Sequence, residues 1–188
     1  MTSEGLPDLE SDYRKLVALV SGIPSPPQVC FGEGAVAPRV VFILGLPNGV
    51  RPLDAEGEEK FTQLRTAMQL GPDEVYITTV IKTSTLASRP PHPADVRRDR
   101  PWLERQLITL SPEAIVAFGP KVGAMVTSSS VHDCGAGHIS SVELEEGQGP
   151  IPVHMTHEFS VLTRQGRDEA KAREMWGHLQ SLMKAISS

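Results

Sequence analysis

Imidazoles, carboxylates and hydroxyls are the groups here that could move a proton, hold a metal or attack a substrate, and they fall in a few places. His132-Asp133-Cys134 with His138 forms one group, and His154 with His157 forms another. Neither spacing matches a standard zinc pattern, so no metal site is expected. Thr127 to Ser130 is rich in hydroxyls, but no Gly-x-Ser-x-Gly elbow surrounds it, which leaves a hydrolase reading without support. Asp54, Glu56, Glu58 and Glu59 could swing an acid into a site. Their position at the head of an amphipathic run is better explained as a solvated helix start that favours the helix dipole. Cations concentrate at Lys82, Arg89, Arg97, Arg98, Arg100 and Arg105, where they could contact phosphates. Asp95, Asp99 and Glu104 interleave with them, so ion pairs along a helix explain the pattern equally well.

These residues need a scaffold, and the sequence provides one. Arg39 to Gly49 (RVVFILGLPNG) reads as an apolar, β-branched strand delivered into a tight Gly/Pro loop, as expected for a parallel strand covered on both faces. In open α/β sheets ligands bind at the carboxyl ends of strands, which places Gly45, Leu46, Pro47 and Asn48 where chemistry would occur. The loop nevertheless contains no acid, hydroxyl, thiol or imidazole. It is not a phosphate loop either, because no Gly-Lys-Ser/Thr follows.

Around it, apolar periodicity predicts a helix over Asp8 to Val20, with Leu9, Tyr13, Leu16, Val17 and Val20 on one face. A short strand is expected near Gln28 to Phe31, a helix over Gly57 to Leu70, and a strand over Val75 to Ile81. Lys82 to Pro93 is expected to be a long loop. A helix over Ala94 to Leu110 must absorb Pro101, by kinking or restarting. Further expectations are a strand at Ala114 to Phe118, a helix at Lys121 to Val126, and a hairpin pairing Ser140 to Leu144 with Ile151 to Met155. A terminal helix spans Gly166 to Ile186, with Ala170, Arg173, Trp176, Leu179 and Met183 at helical spacing. Alternating strands and helices predict one three-layer α/β/α domain over residues 1–188 on a mostly parallel sheet, with residues 1–7 flexible.

Composition bounds the function. The 188 residues are 39% hydrophobic, and no apolar run approaches the length of a membrane span. The acidic N-terminus has no basic and apolar leader pattern, and Cys30 and Cys134 form no CxxC motif, so a reducing cytoplasm is the expected setting. A formal charge of -5 opposes nucleic-acid binding except through local patches. At 5% aromatic residues, with only Trp102 among the cations, a stacking platform for single strands is disfavoured.

Several segments, in order, resemble family 4 uracil-DNA glycosylases. Phe31-Gly32-Glu33-Gly34 followed by the strand into Gly45 is similar to the family's amino-terminal signature. Val75 to Lys82, then Arg89-Pro90-Pro91, is similar to its second strand. Ser111 to Gly119 resembles the next strand, and His157 before Val161-Leu162 falls where the family carries His-Pro-Ser. The resemblance implies a uracil-DNA glycosylase-like α/β/α fold. It also implies a base pocket whose remnant would comprise Gly45, Leu46, Asn48, Thr79 and His157, with Lys82 and Arg89 at its rim and Arg97 and Arg98 as further nucleic-acid contacts.

The departures bear on activity. Leu46 stands where the family has a glutamate, and leucine can neither position a water nor stabilise a cationic sugar. Thr79 stands where the family's asparagine reads the uracil edge, and a hydroxyl cannot replace an amide's paired donor and acceptor. Glu158 follows His157 in place of proline. The family's iron–sulfur cluster needs four thiolates, yet Val17 to Pro24 has no cysteine. The third ligand position is Thr83, and the fourth falls near Asp99 or Arg100. No cluster and no other cofactor is therefore expected. A weaker likeness, without a diagnostic motif, connects Arg39 to Lys82 with the psi subunit of bacterial DNA polymerase III, a glycosylase-like fold used as a protein-binding adaptor. The reading is a diverged, non-catalytic member that binds DNA or a repair or replication protein. The alternatives are an active glycosylase assisted by His157, or an adaptor that does not touch DNA; oligomeric state is left open.

Overall fold

The computed structural model describes residues 5–21, 28–84, 93–144 and 149–187, with the side chains of Val20 and Ser21 left aside. Helix α1 (Leu6–Ser21) is followed by β1 (Glu33–Gly34), β2 (Val40–Leu44), α2 (Ala55–Ala67) and β3 (Val75–Thr79). Then come α3 (Pro93–Leu110), β4 (Ala114–Phe118), α4 (Pro120–Thr127), β5 (Ile139–Val142), β6 (Ile151–Thr156) and α5 (Glu169–Ile186). The sheet formed by the described residues is six-stranded, in the order β1-β3-β2-β4-β6-β5. Its inner strands β3, β2, β4 and β6 run parallel, and β1 and β5 close the edges antiparallel. The fold is therefore the α/β/α sandwich expected from the alternation of strands and helices.

The two-residue period of β2 explains the layering. Val41 and Ile43 face a core completed by Leu103 and Leu107 of α3 and Val122 and Val126 of α4. Val40, Phe42 and Leu44 face the opposite core, made with Phe61 and Leu64 of α2 and Met175, Leu179 and Leu182 of α5. All five β2 side chains are buried, which is why the strand reads as continuously apolar. Each fully buried aliphatic or aromatic side chain contributes about 1.5–3 kcal/mol, so the two faces of this strand anchor the domain. A third cluster joins Leu9, Tyr13 and Val17 of α1 to Val29, Phe31 and Trp102 of α3.

Helix starts follow capping chemistry. The Asp54 carboxylate accepts from the Gly57 amide at 2.7 Å, and Asp168 accepts from the Lys171 amide at 3.1 Å. At the amino ends of the strands, Arg39 reaches Glu74 at 3.1 Å and Glu113 at 3.3 Å, and donates to the Ile186 carbonyl. This one guanidinium ties the starts of β3 and β4 to the end of α5.

Several boundaries differ from the sequence reading. The strand expected at Gln28 to Phe31 reduces to a single bridge, Val29 to Thr83, and the pairing with β3 is made instead by Glu33 and Gly34. There the chain lies against β3: a Cβ on Gly34, at φ +134°, would meet the Val75 carbonyl at 2.4 Å. Pro101 lies inside α3, which runs through it without the restart that was one of the two expectations. On α5 the buried positions are Met175, Leu179 and Leu182, with Ala170 and Arg173 exposed, so its apolar stripe runs in a different phase from the one predicted. Leu6 and Pro7 already belong to α1, within the stretch expected to be flexible.

Candidate functional site

The carboxyl ends of β2, β4 and β6 open onto a cleft of about 620 Å³. Gly45 and Leu46 continue β2 into one wall, which Pro52 and Leu53 extend. Phe118 and Gly119 end β4, and Val122 and Met125 of α4 form the facing wall. Glu158, Phe159 and Ser160 follow β6, and Gln165 completes the lining. Leu46 is half-buried and lines the space without closing it. The cleft is thus largely apolar, with Lys121, Glu158, Ser160 and Gln165 as its polar side chains, the composition of a site for a small, mostly apolar ligand.

Of the residues read from the sequence, the structure brings Gly45 and Leu46 to this cleft and places the others elsewhere. Asn48 is exposed on the following turn, exchanging backbone hydrogen bonds with Arg51. Thr79 is fully buried and its hydroxyl donates to the Ile81 carbonyl at 2.6 Å, so it offers nothing to a ligand. His157 turns toward α5: its Nε2 lies 2.7 Å from the Glu174 carboxylate, and its ring centroid lies 5.8 Å from that of His178. The next side chain, Glu158, is the one that lines the cleft.

The expected basic rim is also redistributed. Lys82 is completely buried, and its ammonium donates to Thr78 Oγ1 and Gln106 Oε1, each at 2.7 Å, with the Phe31 ring 5.4 Å away. Burial pulls its pKa down to about 7. Arg98 is locked to Asp99 at 2.5 Å and also donates to Thr83. Arg100 pairs with Glu104 at 2.7 Å and bonds Ser128. Arg97 is exposed, and Arg89 lies outside the described residues. The helix-face ion pairs therefore account for much of this cationic run, as the interleaved acids suggested.

Of the positions that the family resemblance assigns to cluster ligands, Thr83 and Asp99 meet in space, but with different chemistry. Asp99, fully buried on α3, accepts from the Tyr13 hydroxyl of α1 at 2.7 Å and from the Lys82 amide at 2.8 Å. Arg98 bridges the same carboxylate to Thr83. A carboxylate, a phenol and a hydroxyl stand here, and Cys30, bonded through its amide to the Lys82 carbonyl, brings a single thiol. Four thiolates are what an iron–sulfur cluster requires, and this donor set does not fit one. Desolvation and the neighbouring Asp99 charge push the Tyr13 phenol well above its ordinary value, keeping it a donor.

Sequence reasoning missed the cleft residues contributed by β4 and β6. The signals were present in Gly119, which ends an apolar strand as Gly45 does, and in Glu158 beside the histidine. Pro52, Leu53 and Gln165 come from connections with no such marker. No curated protein matches the chain. The family model for the Uracil DNA glycosylase superfamily matches residues 31–180, from the Phe31 turn through β6 and most of α5. On that match and this fold, the chain belongs to the uracil-DNA glycosylase superfamily.

Proposed function

We propose that this chain is a non-excising member of the superfamily that binds DNA during repair or replication, taking an unstacked base into the cleft between β2, β4 and β6. The observation that carries the reading is the cleft itself: it is open, yet Leu46 forms the wall where the resemblance implies a carboxylate. The imidazole that could assist a water is held by Glu174 outside it. An apolar slot with an amide and a hydroxyl suits a planar heterocycle, whereas bond cleavage needs charge placed at the sugar. Because Lys82, Arg98 and Arg100 are buried or paired, few phosphates would be neutralised. The expected slope of log affinity against log salt is shallow, about -1 to -2.

The test is an excision assay on oligonucleotides carrying uracil, hypoxanthine and xanthine, run beside anisotropy binding measurements. Binding without abasic product is the expected outcome. Product formation that disappears in His157→Ala would establish an active glycosylase instead. Absence of DNA binding at low salt would leave the protein-adaptor reading. One observation favours a second enzymatic reading: Glu158 places a carboxylate in the cleft from the β6 side. In that case excision would be abolished by Glu158→Gln and unaffected by His157→Ala.

A further inference from the structure

We propose that the cleft selects guanine, a base with two adjacent hydrogen-bond donors beside an acceptor, over uracil; this rests on reading the cleft as a base-binding site. Of its polar side chains, Ser160 and Gln165 can both donate and accept, so they adapt to any base edge. Glu158 accepts only and Lys121 donates only, so these two set the polarity of the site. Both flank Gly119. The Glu158 side chain lies across that glycine, whose missing Cβ would sit 2.9 Å from Glu158 Cγ and 3.7 Å from Oε1. Lys121 stands two residues on, in the first turn of α4. Among the described residues neither side chain makes an ion pair or hydrogen bond; both are exposed and line the rim of the cleft, which Lys121 shares with the neighbouring pocket beside Val96 and Ser128.

The pairing logic then discriminates. Uracil presents acceptor, donor, acceptor along its edge, so a carboxylate gains one hydrogen bond while a carbonyl oxygen is brought against negative charge. Adenine and cytosine each place an acceptor beside their amino group, with the same result. Guanine offers N1–H and the 2-amino group side by side, matching both oxygens of a carboxylate, and its O6 is an acceptor for an ammonium. Hypoxanthine is guanine without the 2-amino group and isolates that one contact.

The experiment measures competition by dGMP, dIMP and dUMP, and by single-stranded oligonucleotides with one G, I or U in a thymine background, against a labelled oligonucleotide bound to the full chain. Guanine is expected to bind about 10-fold tighter than hypoxanthine and uracil, the lower range for a bidentate contact at an exposed carboxylate. Glu158→Gln should erase that preference while leaving the circular dichroism spectrum and melting temperature in place. Uracil or hypoxanthine binding as tightly as guanine, or a preference that survives Glu158→Gln, overturns the proposal and leaves the base-binding reading standing. Ser160→Trp, which fills the cleft, separates the two levels. If it leaves oligonucleotide binding intact, or if no nucleotide competes, the cleft is not a base site and both readings fall.

Discussion

Replacing Asp99 with alanine tests whether the buried polar network holds α1 and the segment after β3 to α3. The carboxylate is wholly buried and accepts from Tyr13, the Lys82 amide and the Arg98 guanidinium, at 2.7, 2.8 and 2.5 Å. Its removal leaves two buried donors without an acceptor, each costing about 1–3 kcal/mol. Stranding one member of a buried ion pair costs about 3–5 kcal/mol. Here Arg98 keeps 29% of its side chain exposed and has Asp95 at 3.9 Å, so it can turn toward water and a second acid. The costs overlap, and a total of about 3–5 kcal/mol is expected, equivalent to a fall of about 8–15 °C in Tm for a chain of this size. Tyr13→Phe removes one bond to a charged acceptor and should cost about 1.5–3 kcal/mol. Urea denaturation followed by circular dichroism gives the totals, and a double-mutant cycle of Tyr13→Phe with Asp99→Asn gives the coupling. Hydrogen exchange locates the effect: amides of α1 should lose protection before those of β2 and β4. If Asp99→Ala lies within 1 kcal/mol of the parent, or α1 keeps its protection, the network does not hold these elements together.

Lys82 supplies a pH signature. Its folded pKa is pulled by burial to about 7, below the ordinary lysine value, so the unfolded chain binds more protons above that pH. Stability should therefore rise from about pH 7 to about pH 9. Above that range the buried Cys30 thiol and the Tyr13 and Tyr76 phenols, all held protonated by burial, act in the opposite sense. Lys82→Met should flatten the rise in Tm, and an unchanged slope would remove Lys82 as its source. On α3, Arg98→Glu should destabilise by about 2–4 kcal/mol because it sets an acid against buried Asp99, whereas exposed Arg97→Glu should leave Tm within about 1 °C. Equal effects in urea unfolding would contradict that division. Leu46→Glu should restore an acid to the cleft wall without conferring excision, because His157 stays paired with Glu174. Abasic product from this single variant in a glycosylase assay would overturn the view that two groups are out of place.

The sheet was legible because its strands are buried on both faces and carry the β-branched, apolar runs that such burial demands. The pairing of Gly34 with β3 was not legible, because its positive φ and the Val75 carbonyl at 2.4 Å from a would-be Cβ depend on a strand distant in sequence. The phase of α5 was not legible, since Trp176 and Met183 sit half-buried beside the true stripe and make both phases look apolar. The cleft was read at Gly45 and Leu46 but not at Glu158. A strand end determines which residues lie near the cleft, while the turn that follows determines which one points in. After β6 the chain enters a 3-10 turn, Phe159–Leu162, that lays the exposed Glu158 across Gly119 at the edge of the cleft and leaves His157 against α5. Lys82 was placed at the rim by the family resemblance alone. Its burial depends on Thr78 and Gln106, 4 and 24 residues away, which local sequence does not reveal.

The contacts that hold this fold together are separate from the residues that line its cleft. Arg39 secures the amino ends of the strands, and the Asp99 network secures the β3 edge against α1 and α3. Neither set of contacts includes a residue that lines the cleft. A substitution such as leucine at position 46 therefore changes what the cleft can do while leaving the two anchoring systems untouched. The reverse also holds: a change at Asp99 bears on stability and leaves the cleft wall in place. No acid follows β2 at position 46, and the charged side chains of the cleft, Glu158 and Lys121, stand on its Gly119 side. Recognition of a base edge requires only that such groups meet the heterocycle, whereas cleavage requires charge at the sugar. Glu158, Gln165 and Lys121 line the cleft, and Leu46 brings no charge to its β2 wall.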